Sequence, residues 1–358
     1  MKIAAIFAIF VLAFSVAAAG CTGGQNGQDD EDNQDQPDNG TDEQDGQDGG
    51  QEAVMDNLKI NSGGTGGVYF PLSSRLAKVL NDDAKTMKGA SAVTSGASVA
   101  NEKAIRNGDT QAAMIQNDIA AYGYQGKYMF EEPDEHIRGV AALYPETIQF
   151  VVRADSDINT IKDLDGKKVA IGAPGSGTAV AAEQVLKAAN VWEDVTPVRQ
   201  DFSKAAQSLR LGQVDLAILV GGLPTPAVSE VATQKPVRLM EIPDSTLNTL
   251  QESGYPYYVR VNAPADTYKG MEEKTKTIAV KAILVARDSV PDAAIKEMVS
   301  LLYKDENLKT LRAVHKKAEN IALDTALNGM SIPLHPGAAQ YYKEQGMSIP
   351  EEMQPPEG

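Results

Sequence analysis

The chain has 358 residues, long enough for two domains, and its formal net charge of −16 argues against nucleic acid as a partner. Much of that charge is local: residues 22–52 hold 11 Asp/Glu and no Lys/Arg, which leaves the remainder at −5. The only cysteine, Cys21, excludes an intramolecular disulfide and a Cys–His pair in the folded part. The three histidines, His136, His315 and His335, lack metal-ligand spacing, so neither a metal nor another cofactor is expected.

Residues 1–20 have the layout of a secretory signal: Lys2, an apolar run over 3–19 broken only by Ser15, then small residues. Small residues directly before Cys21 resemble a lipobox, in which the cysteine is lipidated, with Ala18 where leucine is usual. The alternative is an uncleaved anchor helix, for which this run is at the short limit. Both readings place the rest outside the cytoplasmic membrane. Residues 21–53 then form an acidic Gly/Gln/Asn/Asp tether too polar to bury a core.

The folded part opens on a strand, a glycine turn and a helix. Leu58 and Ile60 end a short strand, Gly63, Gly64, Gly66 and Gly67 make a tight turn, and Pro71 sits in the first turn of a helix. Leu72, Leu76, Val79 and Leu80 share one face of that helix. Its start aims unpaired N–H groups and a positive dipole end at whatever lies above the turn, a ready anion site. Residues 167–189 repeat the design, with a strand over 169–171, a turn over 173–177 and a helix from Thr178. Neither turn ends in the Gly-Lys-Ser/Thr of a P-loop, and each alone is also readable as a plain βα turn.

Residues 90–97 read as strand and turn, and 98–107 as a helix with Ser98 as N-cap and Gly108 as its stop. A strand over 111–115 leads through the polar turn Gln116-Asn117-Asp118 to a helix from Ile119. The second half repeats the order: a helix over 203–211, Gly212, a strand over 215–220 and the turn Gly221-Gly222. Residues 106–115 align with 210–219, which implies a duplicated α/β plan with ligand-gathering loops at the carboxyl ends of the strands. Apolar strands over 148–152 and 278–286 carry the chain across and back, a hinge of two strands. Helical patterns follow at 291–303 and 307–314, then a last segment over 332–346.

Three motifs, in this order, resemble the TAXI family of TRAP-transporter solute receptors: SGGTGGVY at 62–69, GAPGSGT at 172–178, and IPLHPGA at 332–338 with Tyr341-Tyr342. The resemblance covers about residues 57–346. It implies an α/β, two-lobed, Venus-flytrap binding protein of the periplasmic-binding-protein-like type II class, with two hinge strands. One lobe would comprise 54–149 and 278–358, the other 150–277. It also implies a small-molecule ligand, glutamate, glutamine or a related carboxylate, and TRAP membrane permease subunits as partners. The lipid anchor at Cys21 would hold the receptor on the outer face of the cytoplasmic membrane.

Such a site holds a carboxylate without a metal. Gly64, Gly66, Gly67, Gly177 and Gly221 supply loop backbone, Thr65, Ser95, Ser176 and Thr178 supply hydroxyls, and Asn101, Gln116 and Asn117 supply amides. Asp118 pairs with a ligand amine or caps the helix from Ile119. Tyr69 and Tyr122 pack on the ligand's aliphatic part, or Tyr69 staples its helix. Arg153 is a candidate cation or a surface salt bridge, and His335 reads as structural. The competing functions are a ligand sensor for a membrane kinase and an extracytoplasmic enzyme on the same scaffold. Gly-x-Ser-x-Gly is absent, because Gly175-Ser176-Gly177 has the wrong spacing.

Overall fold

The computed structural model describes residues 55–356; the leader, Cys21 and the tether lie outside them. Among the described residues ten strands alternate with ten α-helices. The first part runs β1 (Leu58–Asn61), α1 (Tyr69–Asp83), β2 (Ala90–Val93), α2 (Ser98–Asn107), β3 (Ala112–Gln116), α3 (Asn117–Gln125) and β4 (Ile137–Arg153). The middle runs β5 (Lys168–Ala170), α4 (Gly177–Ala188), β6 (Thr196–Val198), α5 (Phe202–Arg210), β7 (Leu216–Gly221), α6 (Pro226–Gln234), β8 (Val237–Met240), α7 (Asp244–Glu252), β9 (Val259–Ala263) and β10 (Thr275–Arg287). The chain closes with α8 (Asp292–Leu302), α9 (Asp305–Val314) and α10 (Pro336–Glu344).

All ten strands share one sheet of order β2-β1-β3-β10-β4-β7-β5-β6, with β8 on β4 and β9 on β10. Strands β1, β2 and β3 are parallel, and β10 joins β3 antiparallel. Strands β5, β6 and β7 are parallel, and β4 joins β7 antiparallel. The two ends of the sheet therefore repeat one plan, and the aligned segments 106–115 and 210–219 fall on equivalent helix–strand pairs, α2–β3 and α5–β7.

The long strands β4 and β10 change partners midway. Residues 282–286 of β10 lie on β3, and residues 275–279 lie on β9. Residues 137–147 of β4 lie on β10, and residues 150–153 lie on β8. The β4–β10 register is irregular between Lys281 and Ile283 and again between Leu284 and Val285. Packing divides at the same place. Val140–Tyr144 of β4 and Ile283–Val285 of β10 enter a core with α1 and α8, whereas Ile148, Phe150, Ile278 and Val280 enter another with α4 and α7. The result is the expected two-lobed mixed α/β fold.

Local sequence explains the elements. Leu72, Leu76 and Leu80 recur at helical spacing in α1 and are fully buried; each contributes roughly 1.5–3 kcal/mol of burial. Gly108 ends α2 at φ +79°, a left-handed conformation that glycine adopts at no steric cost. Two expectations change. Ser98 is the first residue of α2 and caps nothing, because its Oγ accepts the Gln116 N–H. No turn follows β3: α3 begins at Asn117, so the amide at Gln116 passes directly from strand to helix.

Candidate functional site

The loops at the carboxyl ends of the strands enclose a cavity of about 510 Å³. Its wall is built from both ends of the sheet: residues 63–69 and 94–98 on one side, and 176–178, 201–203 and 220–221 on the other, with Gln116 and Glu146 between them. The residues at which α1, α2, α4 and α5 start, Val68, Ala97, Ser176 and Asp201, all face it. Four helix N-termini thus meet in one space, that of α5 capped by a carboxyl. Ser176 and Asp201 cap their own helices, through Ala179 N–H and Lys204 N–H. Helices α1 and α2 have no side-chain cap. Ala97 holds φ +68°, a strained backbone for a side-chain-bearing residue, where the chain turns into α2 beside the cavity.

The two sides touch across the cavity. Ala227 N–H donates to Gly66 O at 3.1 Å, and Ala100 N–H donates to Gly175 O at 3.0 Å. A Cβ on Gly66 would stand 2.5 Å from Ser203 Oγ, and one on Gly177 would stand 1.4 Å from Gln116 Oε1. A side chain at either place would have to displace these groups, and at Gly66 the Ser203 backbone N and Ala227 Cβ also stand 3.2 Å away.

Among the described residues no Lys, Arg or His lines the cavity; its charged groups are the carboxyls of Glu146 and Asp201. Glu146 lies in the middle of β4 and is almost wholly buried. Tyr69 Oη donates to its Oε2 at 2.6 Å, leaving Oε1 to the cavity. Burial, reinforced by the negative charge of Asp118, pushes the Glu146 carboxyl up to about 8, against the hydrogen bond from Tyr69, which favours the ionised form. Gln116 is buried at the wall with both carboxamide atoms unpartnered.

Eleven residues singled out from the sequence line this space: Gly64, Thr65, Gly66, Gly67, Tyr69, Ser95, Gln116, Ser176, Gly177, Thr178 and Gly221. Their roles differ. Ser95 Oγ is spent on Ser62 O and Ala97 N–H, and Ser176 Oγ on Ala173 O and Ala179 N–H, so both hydroxyls shape the loops. Tyr69 is no mere staple, since its hydroxyl anchors Glu146.

Asn101, Asp118 and Tyr122 do not line the cavity. Asn101 faces inward from α2, and its amide donates to Ser62 O and Met114 O. Asp118 is fully buried in the first turn of α3, and both of its carboxylate oxygens lack a side-chain partner. Its burial pushes its carboxyl up to about 7, against the pull of backbone N–H groups. Tyr122 packs edge-on against Tyr128 and Tyr257, with ring centroids 4.5 and 5.8 Å away. Arg153 is the salt-bridge residue, bound to Leu209 O and 3.6 Å from Asp155. Buried His335 caps α10 through Gly337 N–H.

Sequence reasoning missed Glu146, Ser98, Phe202 and Ser203. Glu146 had a signal: it is the only charged residue in residues 139–152, an apolar strand that crosses between the halves.

A family model described as the NMT1-like family matches residues 60–346. Among solved structures, the periplasmic binding protein BugD superposes with a TM-score of 0.51 at 14% identity, covering 81% of this chain and 95% of that one. The periplasmic aliphatic sulphonate binding protein SsuA from Escherichia coli gives a TM-score of 0.43 at 16% identity, covering 81% and 84%. A putative L-cystine ABC transporter from Listeria monocytogenes gives 0.47 at 12%, covering 75% and 98%. The likeness to BugD is one of fold.

Proposed function

The chain belongs to the NMT1-like family, and we propose that it is a solute-binding receptor that captures a small carboxylate or amino acid of the glutamate type between two lobes. Within that reading it belongs with the TAXI receptors and delivers its ligand to a TRAP-type permease. The observation that carries the proposal is the meeting of four helix N-termini in one cavity with, among the described residues, no cationic side chain on its wall. Such a wall offers backbone N–H donors to a carboxylate without the charge-paired desolvation that an arginine would bring.

A volume of about 510 Å³ falls within the range of small-molecule sites. Binding, not catalysis, is the reading favoured by Ser176, whose hydroxyl is held between Ala173 O and Ala179 N–H. The lobes are assigned as 54–149 with 278–358, and 150–277, closing by hinge bending where β4 and β10 exchange partners. Residues 1–20 as a secretory signal and Cys21 as a lipid anchor place the receptor outside the cytoplasmic membrane.

A thermal-shift screen of the full-length chain against amino acids, dicarboxylates and keto acids tests the proposal. Ligand that binds only the native state raises the melting temperature by mass action. A rise with glutamate, glutamine or a related carboxylate is expected; no rise with any small acid refutes the receptor reading.

A further inference from the structure

Glu146 is placed unlike any other carboxyl of the cavity. It sits on β4, which passes from one side of the sheet to the other, and β10 presents apolar Val280 opposite it. Tyr69 holds Oε2 at 2.6 Å, and no Lys or Arg reaches the carboxyl to balance it. Asp201, the other carboxyl, is exposed and committed to the Lys204 N–H. A buried carboxyl without a cation is costly to ionise. The helix N-termini of α1 and α4, with the unpartnered Gln116 carboxamide beside α4, form an electropositive wall in the same cavity. One space therefore presents N–H donors for an anion and a free carboxyl oxygen, with no cation among the described residues between them.

We propose that Glu146 is the amine-binding residue of the cleft: its Oε1 takes a protonated amino group of the ligand while the helix ends take the carboxylate, so the site selects zwitterions over the corresponding plain acids. This rests on the receptor reading above and assigns to Glu146 the role that the sequence suggested for Asp118. A glutarate-like acid meets a carboxyl where an ammonium belongs and gains nothing there. An amino acid supplies the missing positive charge and a charge-assisted hydrogen bond.

Capture then carries a proton signature. The titratable groups facing Glu146 are Tyr69 of α1, Tyr144 of the same strand, Asp118 of α3 and Asp201 at the start of α5; Lys317 packs near Tyr144 around Gly222. Buried as it is, ligand-free Glu146 holds its proton at pH 7, its carboxyl being pushed up to about 8. An arriving ammonium favours the carboxylate, and the proton leaves to solvent: Glu146–COOH and ligand –NH₃⁺ become Glu146–COO⁻···⁺H₃N–ligand plus one H⁺.

The test is titration calorimetry of the full-length chain at pH 7 in two buffers of different ionisation enthalpy, with L-glutamate, glutarate and 2-oxoglutarate as probes. The wild type is expected to favour L-glutamate and to release a proton on binding it, because burial holds the ligand-free carboxyl protonated at pH 7. Glu146→Gln should lose about thirty-fold or more in L-glutamate affinity, release no proton, and leave glutarate binding no weaker. Asp118→Asn should keep the proton release. Equal wild-type affinity for L-glutamate and glutarate, or proton release that persists in Glu146→Gln, overturns the assignment and leaves the receptor reading standing. Binding of none of the three probes counts against both.

Discussion

Glu146→Gln is expected to stabilise the ligand-free protein at alkaline pH although it alters the heart of the cavity. Burial raises the Glu146 carboxyl from its ordinary 4.5 to about 8. A folded-state value raised in this way means that the native protein holds the proton more tightly than the unfolded chain does. The associated stability is fully present below pH 4.5 and is lost as pH rises through 8. The difference between 4.5 and about 8 corresponds to a loss of up to about 5 kcal/mol. Glutamine fills the same volume, accepts from the Tyr69 hydroxyl through its carbonyl oxygen, and never ionises. Calorimetric melting at pH 4.5, 7 and 8.5 should show near-equal melting temperatures at the acid end. At pH 8.5 the variant should lead by several degrees. Asp118 and Glu102, each pushed to about 7 by burial, keep part of the pH dependence in both proteins. A gap between variant and wild type that does not change with pH, or one that favours wild type as pH rises, refutes the reasoning.

Four further substitutions probe the cleft and its support. Gly177→Ala puts a methyl where Gln116 Oε1 now sits and 3.1 Å from Ser98 Cβ. The flexible Gln116 carboxamide must swing aside, which should appear as roughly tenfold weaker ligand binding with a near-normal melting temperature; unchanged affinity in a titration contradicts the close approach. Thr65→Ala and Thr178→Ala each remove a hydroxyl from the wall and should cost about fivefold in affinity while the fold stays intact, and unchanged affinity in both removes the anion-site argument. Tyr268→Phe strands two buried partners, Gln149 Oε1 at 2.5 Å and the Thr225 N–H at 2.7 Å. Chemical denaturation should show a loss of about 2 kcal/mol or more, and a loss under 0.5 kcal/mol means that the network carries no stability.

The fold was legible because its signals are local and periodic. Glycine turns between a short apolar strand and an amphipathic helix recur in both halves, and the alignment of residues 106–115 with 210–219 lands on equivalent elements of the sheet. Loop residues of the cavity followed from the same logic, since the carboxyl ends of parallel strands point into the cleft. What failed was side-chain direction. Asn101 was expected on a helix and Asp118 in a polar turn, but α2 turns Asn101 onto Ser62 O and Met114 O, and the immediate start of α3 at Asn117 turns Asp118 into protein. Glu146 was hidden for the opposite reason: it stands in a strand that reads as core, and only the cost of burying a lone carboxyl marks it as functional. Ser95 and Ser176 are where the sequence placed them, yet their hydroxyls serve the loops, a division of labour that depends on hydrogen-bond geometry and not on composition.

The most direct test of capture in the cleft is an equilibrium titration of the full-length chain and its Gly66→Val variant with L-glutamate, L-glutamine, glutarate and 2-oxoglutarate. Valine at residue 66 would collide with Ser203 Oγ and Ala227 Cβ on the opposite wall and hold the two sides apart. The account predicts one ligand per wild-type chain and at least about tenfold weaker binding in the variant, with the fold retained. Binding of equal strength in both proteins, or no binding of any of the four acids by the wild type, contradicts it.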